Sequence, residues 1–356
     1  MTAAMNGQEF REAFLRSVLL EFSQPPRTFN DDALRGFKAS NNLGPHELMF
    51  VEDHSERIAN LYNALSDQQS KQTLAFFYLN RALGGLHSHG PHITADFLAL
   101  TESIVNYTSG KGRRLFQHQW LHRPIFIEEY DMSIADQRIK LDTHDISALE
   151  IFLLEEYTYR GATTIEAKPG DTIIDAGACW GDTALYLAAK SLPDGHVYAF
   201  ELSEGNIGVL NANLAKNPDL APHITVVQRP LSGKSGDDMW FIDAGAASRI
   251  ASQDNGGTKL QSLSIDDFVK QEGIKRVDFM KFDIEGAERH ALDGAEETIR
   301  THKPTLAISV YHLPDDPFVI AEKIFAMSND YRFSMKGVCK NYGETILFCQ
   351  SASRMT

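Results

Sequence analysis

A short apolar segment that ends in a glycine-containing turn constrains this chain more than any other feature. Residues 172–176 have the sequence Thr-Ile-Ile-Asp-Ala, which predicts a buried β-strand, and a run of helix-forming residues begins near residue 183. Gly177 and Gly181 lie between them, where the chain must turn sharply and a helix must begin close to the sheet. The pattern predicts a strand, a turn and a helix, with a ligand above the turn.

Three carboxylates indicate which ligand this turn would hold. Asp175 ends the predicted strand, Asp182 lies at the start of the helix, and Glu201 follows the next predicted strand. The first two would repel a phosphate group, and a dinucleotide site would need a third glycine, which disfavours NAD. They suit an ammonium group, and Glu201 is placed to accept hydrogen bonds from two ribose hydroxyls. These residues predict S-adenosylmethionine as the cofactor, and a turn without a ligand is the alternative.

Composition limits the possible partners. The chain has 356 residues, of which 43% are hydrophobic, and a formal net charge of −14. This length allows about two domains with a sizeable core, and the negative charge disfavours nucleic acid and anionic membranes. The three cysteines indicate a reduced compartment without a disulfide framework. Because no run approaches the roughly 18–20 apolar residues of a membrane span, we expect a soluble, cytoplasmic protein.

Sequence periodicity divides the chain into three predicted parts. Residues 1–113 have apolar positions three and four apart, which predicts helices that pack on one another, on the main domain or on a second subunit. We expect this region to form a lid or a homodimer contact. Residues 114–165 contain short strand-like segments and a helix over 145–157, and they form a predicted bridging segment. Residues 166–356 form the predicted main domain.

Strand and helix patterns alternate through this main domain, and two consecutive strands, 331–336 and 344–349, close it. The alternation predicts an α/β fold, in which a mostly parallel, Rossmann-like sheet is covered by helices on both faces. The last two strands lack a crossover helix and must form an antiparallel hairpin, with its turn at 341–343. A parallel nucleotide-binding sheet that ends in such a hairpin is the architecture of class I methyltransferases.

With these motifs in place, the sequence resembles the FkbM family of S-adenosylmethionine-dependent methyltransferases over roughly residues 150–350. The matching residues are 171–178 with Gly181, Phe200-Glu201, 263–268 and, most specifically, 277–288. Cys179-Trp180 replaces the usual Asn of the family. The resemblance implies a cofactor site that comprises Asp175, Gly177, Ala178, Cys179, Gly181, Asp182, Thr183, Glu201, Leu202, Ser232 and Asp283.

The predicted catalytic residues follow two later strands. Asp283 ends one strand at the edge where ligands bind in open α/β sheets, and Glu285 comes two residues later. His312 ends the next strand, and a histidine with a pKa near neutrality suits removal of a proton from a hydroxyl acceptor. We therefore expect O-methylation of a small-molecule hydroxyl, on a sugar or a secondary metabolite, with His312 as the general base. A histidine that merely ends a strand is the alternative.

Several alternatives remain open from the sequence. Methylation of a carboxylate or an amine would need no strong base, and a non-catalytic S-adenosylmethionine-binding dimerisation module would need no acceptor. A magnesium ion could position two acceptor oxygens, with Asp283 and either Asp315 or Asp316 as its ligands. Nothing in the spacing of these carboxylates requires the ion.

Overall fold

The structure is a computed structural model that describes residues 4–22, 44–83, 94–116, 125–243, 249–251, 257–338 and 344–354. Cys339 and the predicted hairpin turn at 341–343 lie outside these residues.

Helices make up the described part of the N-terminal region: α1 (Gly7–Phe22), α2 (Gly44–Asp53), α3 (Ser55–Ala64), α4 (Gln68–Leu83) and α5 (Ala95–Ser103). The apolar faces of the first four enter the core beneath the central sheet, where Ile58 and Tyr78 are fully buried. Ser70 of α4 accepts a hydrogen bond from the backbone N–H of Met335 at 2.9 Å. These helices therefore pack on one another and on the main domain, and the homodimer contact stays a prediction.

The bridging segment contains an antiparallel sheet and an interrupted helix. Its elements are β1 (Arg114–Phe116), β2 (Ile125–Ile134), β3 (Gln137–Thr143), α6 (Asp145–Ala148), a π-helical turn (Leu149–Leu153), β4 (Tyr159–Arg160) and β5 (Thr164–Ile165). The helix predicted over 145–157 is therefore wrong in its second half. Glu155 has a left-handed backbone (φ 48°), which ends the helix and directs the following residues towards the carboxyl edge of the sheet.

The main domain alternates as predicted. Its elements are β6 (Thr172–Ala176), α7 (Asp182–Ser191), β7 (His196–Phe200), α8 (Glu204–Lys216), β8 (Ile224–Val227), β9 (Asp238–Ile242), β10 (Arg249–Ala251), β11 (Thr258–Gln261), α9 (Ile265–Gln271), β12 (Phe279–Phe282), α10 (Glu288–Asp293), α11 (Glu296–His302), β13 (Thr305–Ser309), α12 (Asp316–Met327), β14 (Tyr331–Gly337) and β15 (Thr345–Ser351).

Seven of these strands form the central sheet, in the order β14-β15-β13-β12-β6-β7-β8. The five strands from β13 to β8 are parallel, and β15 is antiparallel to both of its neighbours. One face packs against α9 to α12 and the N-terminal helices, and the other against α7 and the β2–β3 hairpin. The predicted mostly parallel sheet with a terminal antiparallel hairpin is confirmed. Because β6 lies between β7 and β12, the carboxyl edge beside it is a topological switch point.

Two local features differ from the sequence prediction. The sequence pattern predicts one helix over 287–301, whereas the structure has two, α10 and α11, which are separated at Gly294, where a Cβ would lie 2.1 Å from the Ser232 carbonyl oxygen. The side chain of Asp266 accepts hydrogen bonds from the first turn of α11 and so starts the second helix separately. A small antiparallel sheet, β10-β9-β11, was also missed.

Among the described residues, no helix is both long enough and apolar enough to cross a membrane.

The shared core predicts that the N-terminal helices unfold together with the sheet. Replacing fully buried Ile58 by Ala leaves a cavity in this core and should lower the free energy of unfolding by about 2–5 kcal/mol in a single urea transition. Val105→Ala is the control, because Val105 is 67% exposed and its truncation should cost less than about 0.5 kcal/mol. A loss confined to a separate, early transition would contradict the prediction.

Candidate functional site

A cavity of about 240 Å³ lies at the carboxyl ends of the parallel strands, beside the switch point. It is lined from three directions: by the turn after β6 and the end of β7, by the loops after β12 and β13, and by the bridging segment. Its walls carry many carboxylates and few cations. The described residues on these walls with acidic side chains are Glu150, Glu156, Asp182, Glu201, Asp283, Glu285 and Glu344.

The turn after β6 has the shape that its glycines predict. Gly177 has a φ of +88°, and a Cβ there would lie 1.8 Å from the backbone oxygen of Asp283, so only glycine fits. The backbone N–H groups of Gly177 and Ala178 both donate to the Phe200 carbonyl, at 3.0 and 2.9 Å. These contacts bring the ends of β6, β7 and β12 together. Gly181 (φ +80°) precedes α7 and faces Leu210, away from the cavity.

Asp175 does not face the cavity, which corrects its predicted role as a ligand for an ammonium group. It is fully buried, and its Oδ1 lies 3.2 Å from Nζ of Lys281 while its Oδ2 accepts a 2.6 Å hydrogen bond from Thr183. Lys281 is also buried and donates to the Gly177 carbonyl at 2.5 Å. Asp175 therefore holds the lysine that fixes the turn. The sequence prediction missed Lys281, which does line the cavity.

Two acidic residues occupy the β7 side of the cavity, as predicted. Glu201 Oε1 accepts hydrogen bonds from the backbone N–H groups of Leu202 and Ser203, both at 2.7 Å. Burial raises the pKa of Glu201 to about 7, against the lowering effect of these bonds. Asp182 accepts from Thr143 at 2.8 Å, and burial raises the pKa of this carboxyl also. This side of the cavity is therefore rich in hydrogen-bond acceptors.

Asp283 lies at the other side of the cavity, between two tyrosines. Tyr157 donates to its Oδ2 and Tyr311 to its Oδ1, each at 3.1 Å. Both tyrosines line the cavity, and the sequence prediction missed their contact with Asp283. For Tyr311 a signal existed, because it follows β13 by two residues and directly precedes His312. These two bonds fix the orientation of the Asp283 carboxylate.

His312, the predicted general base, is not among the residues that line the cavity. Its Nε2 is 3.6 Å from Asp283 and 3.7 Å from Glu285, and its Nδ1 is 3.1 Å from Glu288. Burial alone would lower the pKa of this imidazole, but the three carboxylates outweigh burial and raise the pKa to about 9. At neutral pH the ring therefore holds a proton and cannot accept another.

Glu285 reaches the cavity, as predicted, from a tight loop after β12. The loop combines left-handed backbone at Glu285 (φ 55°) and Gly286 (φ 93°), which turns the carboxylate towards the cavity. Partial burial, and then the neighbouring charge of Asp283, raises the pKa of Glu285 to about 7. Glu288, which begins α10, is fully buried and closes the loop by accepting a 2.8 Å bond from the Ile284 N–H.

The predicted magnesium ligands do not assemble around Asp283. Asp315 and Asp316 both pair with Arg289, at 2.6 and 2.7 Å, so these carboxylates already have a cation. Asp283, Glu288 and His312 do offer ligand atoms within 4.8 Å of one another. This cluster differs from the predicted ligand set, because it includes neither Asp315 nor Asp316.

The structure thus brings together most of the predicted site residues. Those that line the cavity are Gly177, Cys179, Asp182, Thr183, Glu201, Leu202, Asp283 and Glu285. Those that do not are Asp175, Ala178, Gly181, Ser232 and His312. Ala178 is buried in the core, and the backbone N–H of Ser232 donates to the Leu263 carbonyl at 3.1 Å. Glu150, Glu156 and Glu344 line the cavity and were missed.

Comparison with known proteins gives a family and a fold. Residues 175–335 match the family model of the methyltransferase FkbM domain. The crystal structure of Methyltransferase FkbM from Methylobacillus flagellatus KT aligns with a TM-score of 0.54 and 18% sequence identity, over 98% of this chain and 72% of that chain. At this identity the likeness concerns the fold alone.

Two more distant structures align with lower scores. Aeropyrum pernix fibrillarin in complex with natively bound S-adenosyl-L-methionine is 10% identical, over 66% of this chain and 97% of that chain, with a TM-score of 0.38. A SAM-dependent methyltransferase from Aquifex aeolicus is 17% identical, over 58% and 92% of the two chains, with a TM-score of 0.34. The curated proteins include no match to this chain.

The family match covers the strands and loops that surround the cavity from the turn after β6 to the loop after β13. The sheet order and the terminal antiparallel hairpin are those of a class I methyltransferase, as the sequence predicts. Residues 175–335 therefore match the methyltransferase FkbM domain, and the chain has the fold of a class I methyltransferase.

Proposed function

We propose that this chain is an S-adenosylmethionine-dependent methyltransferase that methylates a hydroxyl group of a small molecule, such as a sugar or a secondary metabolite. One observation carries the proposal: a single cavity joins the acceptor groups beside β7, around Glu201, to the carboxylates of Asp283 and Glu285 after β12. The FkbM domain over residues 175–335 supports it.

The residues of the cavity fit this cofactor. Glu201 supplies acceptors for ribose hydroxyls, and Leu202, Leu231 and Phe241 offer apolar surface to a base. Gly177, where a Cβ would collide with the Asp283 backbone oxygen, lets the turn after β6 and the loop after β12 approach each other closely beside the cavity. When bound, S-adenosylmethionine supplies a methyl group on a positively charged sulfur. The acidic walls favour a ligand with that charge.

We propose Glu285 as the proton acceptor, in place of His312. In the described residues its carboxylate accepts no hydrogen bond, whereas both oxygens of Asp283 are occupied by tyrosine hydroxyls. A pKa of about 7 leaves much of Glu285 ionised at neutral pH and is suited to general-base catalysis. His312 then acts as a positioning residue, because its charge lies between Glu285 and Asp283.

The remaining groups align the acceptor and exclude water. Tyr157 and Tyr311 hold Asp283 in one orientation, and Lys281 fixes the turn opposite it. In a methyl transfer, alignment of the two reacting atoms and removal of water supply most of what the protein contributes.

The partners we propose are a small-molecule acceptor and, through the N-terminal helices, a second copy of the chain. The net charge of −14 is our reason for proposing neither nucleic acid nor an anionic membrane as a partner.

The cofactor assignment predicts that Glu201→Gln weakens the binding of S-adenosylhomocysteine by about 10-fold or more, because charge-assisted hydrogen bonds contribute roughly 1.5–3 kcal/mol. Isothermal titration calorimetry measures this affinity. Glu204→Gln is the matched control, since Glu204 is exposed at the start of α8 and should leave the affinity unchanged. Binding of NAD by the unmodified protein, without binding of S-adenosylhomocysteine, would overturn the assignment.

The base assignment predicts that Glu285→Gln lowers kcat by about 100-fold or more while the affinity for S-adenosylhomocysteine stays within about twofold. In the unmodified protein kcat/KM should rise with pH through about 7, because only the ionised carboxylate accepts a proton, and the variant should lack this rise. The acceptor for these measurements is identified first, by testing the transfer of a radiolabelled methyl group to a panel of hydroxyl, amine and carboxylate compounds.

The alternatives give different results in the same assay. Unchanged turnover in Glu285→Gln would favour a carboxylate or amine acceptor, which needs no strong base. Tight binding of S-adenosylhomocysteine by the unmodified protein without turnover on any compound would favour a non-catalytic module. His312→Gln should shift the pH profile of kcat/KM rather than abolish turnover, because the imidazolium influences the ionisation of Glu285.

A further inference from the structure

One buried carboxylate on the cavity wall has no partner in the described residues. Glu156 follows the left-handed residue that ends the π-helical turn, and it is only 4% exposed. Its backbone is fixed, because its N–H donates to the Glu150 carbonyl at 2.9 Å. Its side chain lines the cavity and makes neither a hydrogen bond nor an ion pair with the residues that the structure describes.

Two further glutamates lie on the same wall. Glu344, just before β15, shares a hydrogen bond with the side chain of Glu150, while its Oε2 is buried without a hydrogen-bond partner. Both residues line the cavity that Glu156 faces. We call Glu150, Glu156 and Glu344 the glutamate wall. The wall belongs to the Asp283 side of the cavity, since the Asp283 charge acts on both Glu156 and Glu344.

Neither of the two lysines whose charges act on Glu156 forms an ion pair with it. Lys281 pairs with Asp175 and donates to the Gly177 carbonyl. Lys336 directs its ammonium group at the carbonyls of Leu154, Glu155 and Thr158, at 2.7, 2.6 and 2.8 Å. Both lysines are therefore held by other groups. A buried carboxylate without a cation is costly, and a glutamine or an apolar side chain would fill the same space without that cost.

We propose that the glutamate wall is a subsite for a protonated amine. The proposal rests on the proposed function, because the cavity is taken to hold the cofactor and the acceptor. An ammonium group has three N–H donors and a positive charge, which match the unpartnered oxygens of Glu156 and Glu344. The amine is either the α-amino group of S-adenosylmethionine or an amino group on the acceptor, so that acceptors with a negative charge at this position are rejected.

Binding of an ammonium group here should release a proton. Burial, together with the charges of Glu344 and Asp283, raises the pKa of Glu156 well above its usual range, against the opposite effect of Lys281 and Lys336. This shift favours the protonated carboxyl in the free protein, whereas an arriving cation favours the ionised carboxylate, so that binding should release a proton. A carboxyl group that served only packing would release none.

The experiment compares three ligand sets on the full chain. The first two are S-adenosylhomocysteine and its deaminated analogue, which retains the carboxylate but lacks the amine, measured by calorimetry in two buffers of different ionisation enthalpy. The third consists of fragments that share one skeleton and carry an amine, a hydroxyl or a carboxylate, detected by ligand NMR with S-adenosylhomocysteine present. The variants are Glu156→Gln and Glu344→Gln, with exposed Glu272→Gln as the control.

The outcomes identify the source of the amine or overturn the proposal. If Glu156→Gln weakens S-adenosylhomocysteine at least tenfold, leaves the deaminated analogue unchanged and abolishes proton release, the wall binds the α-amino group of the cofactor. If cofactor affinity is unchanged and a tenfold preference for amine fragments over carboxylates disappears, the wall binds the acceptor. If neither ligand set depends on Glu156 or Glu344, the proposal is wrong. If the unmodified protein does not bind S-adenosylhomocysteine, the proposed methyltransferase function is wrong. The fragments would still test whether the glutamate wall binds an amine.

Discussion

The buried ion pair of Asp175 and Lys281 is the interaction on which the geometry of the cavity depends. The two residues are register partners on the adjacent parallel strands β6 and β12, and neither is more than 1% exposed. Lys281 also donates to the Gly177 carbonyl, so the same ammonium group joins the two strands and holds the turn between them. Removing one partner would leave an uncompensated charge in the core, which typically costs about 3–5 kcal/mol.

The sequence predicts the sheet and the position of the cavity because both follow from local patterns. Alternating strands and helices require a mostly parallel sheet, and acidic residues at strand ends must then meet at its carboxyl edge. Glu201, Asp283 and Glu285 were located in this way. The same pattern does not show which strand-end side chains point inward. Asp175 is turned into the core by Lys281, a cation within an apolar strand, and no local signal pairs the two.

The protonation state of His312 could not be predicted from the sequence, for a related reason. His312 was correctly predicted to lie beside Asp283, but its pKa depends on three carboxylates that the loop after β12 gathers around it. That loop needs left-handed backbone at Glu285, a conformation that its sequence does not require. The charge on the imidazole follows from tertiary contacts alone.

Residues outside the match to the FkbM domain, which covers residues 175–335, complete the cavity. Tyr157 and Glu156 precede it, Glu344 follows it, and all three line the cavity. Lys336 of β14 holds the bridging segment in place through three of its backbone carbonyls. The domain thus supplies the turn and the carboxylates beside it, while the flanking segments supply the glutamate wall. Because the flanks contribute to the Asp283 side of the cavity, that side can differ in shape and charge without any change to the turn after β6.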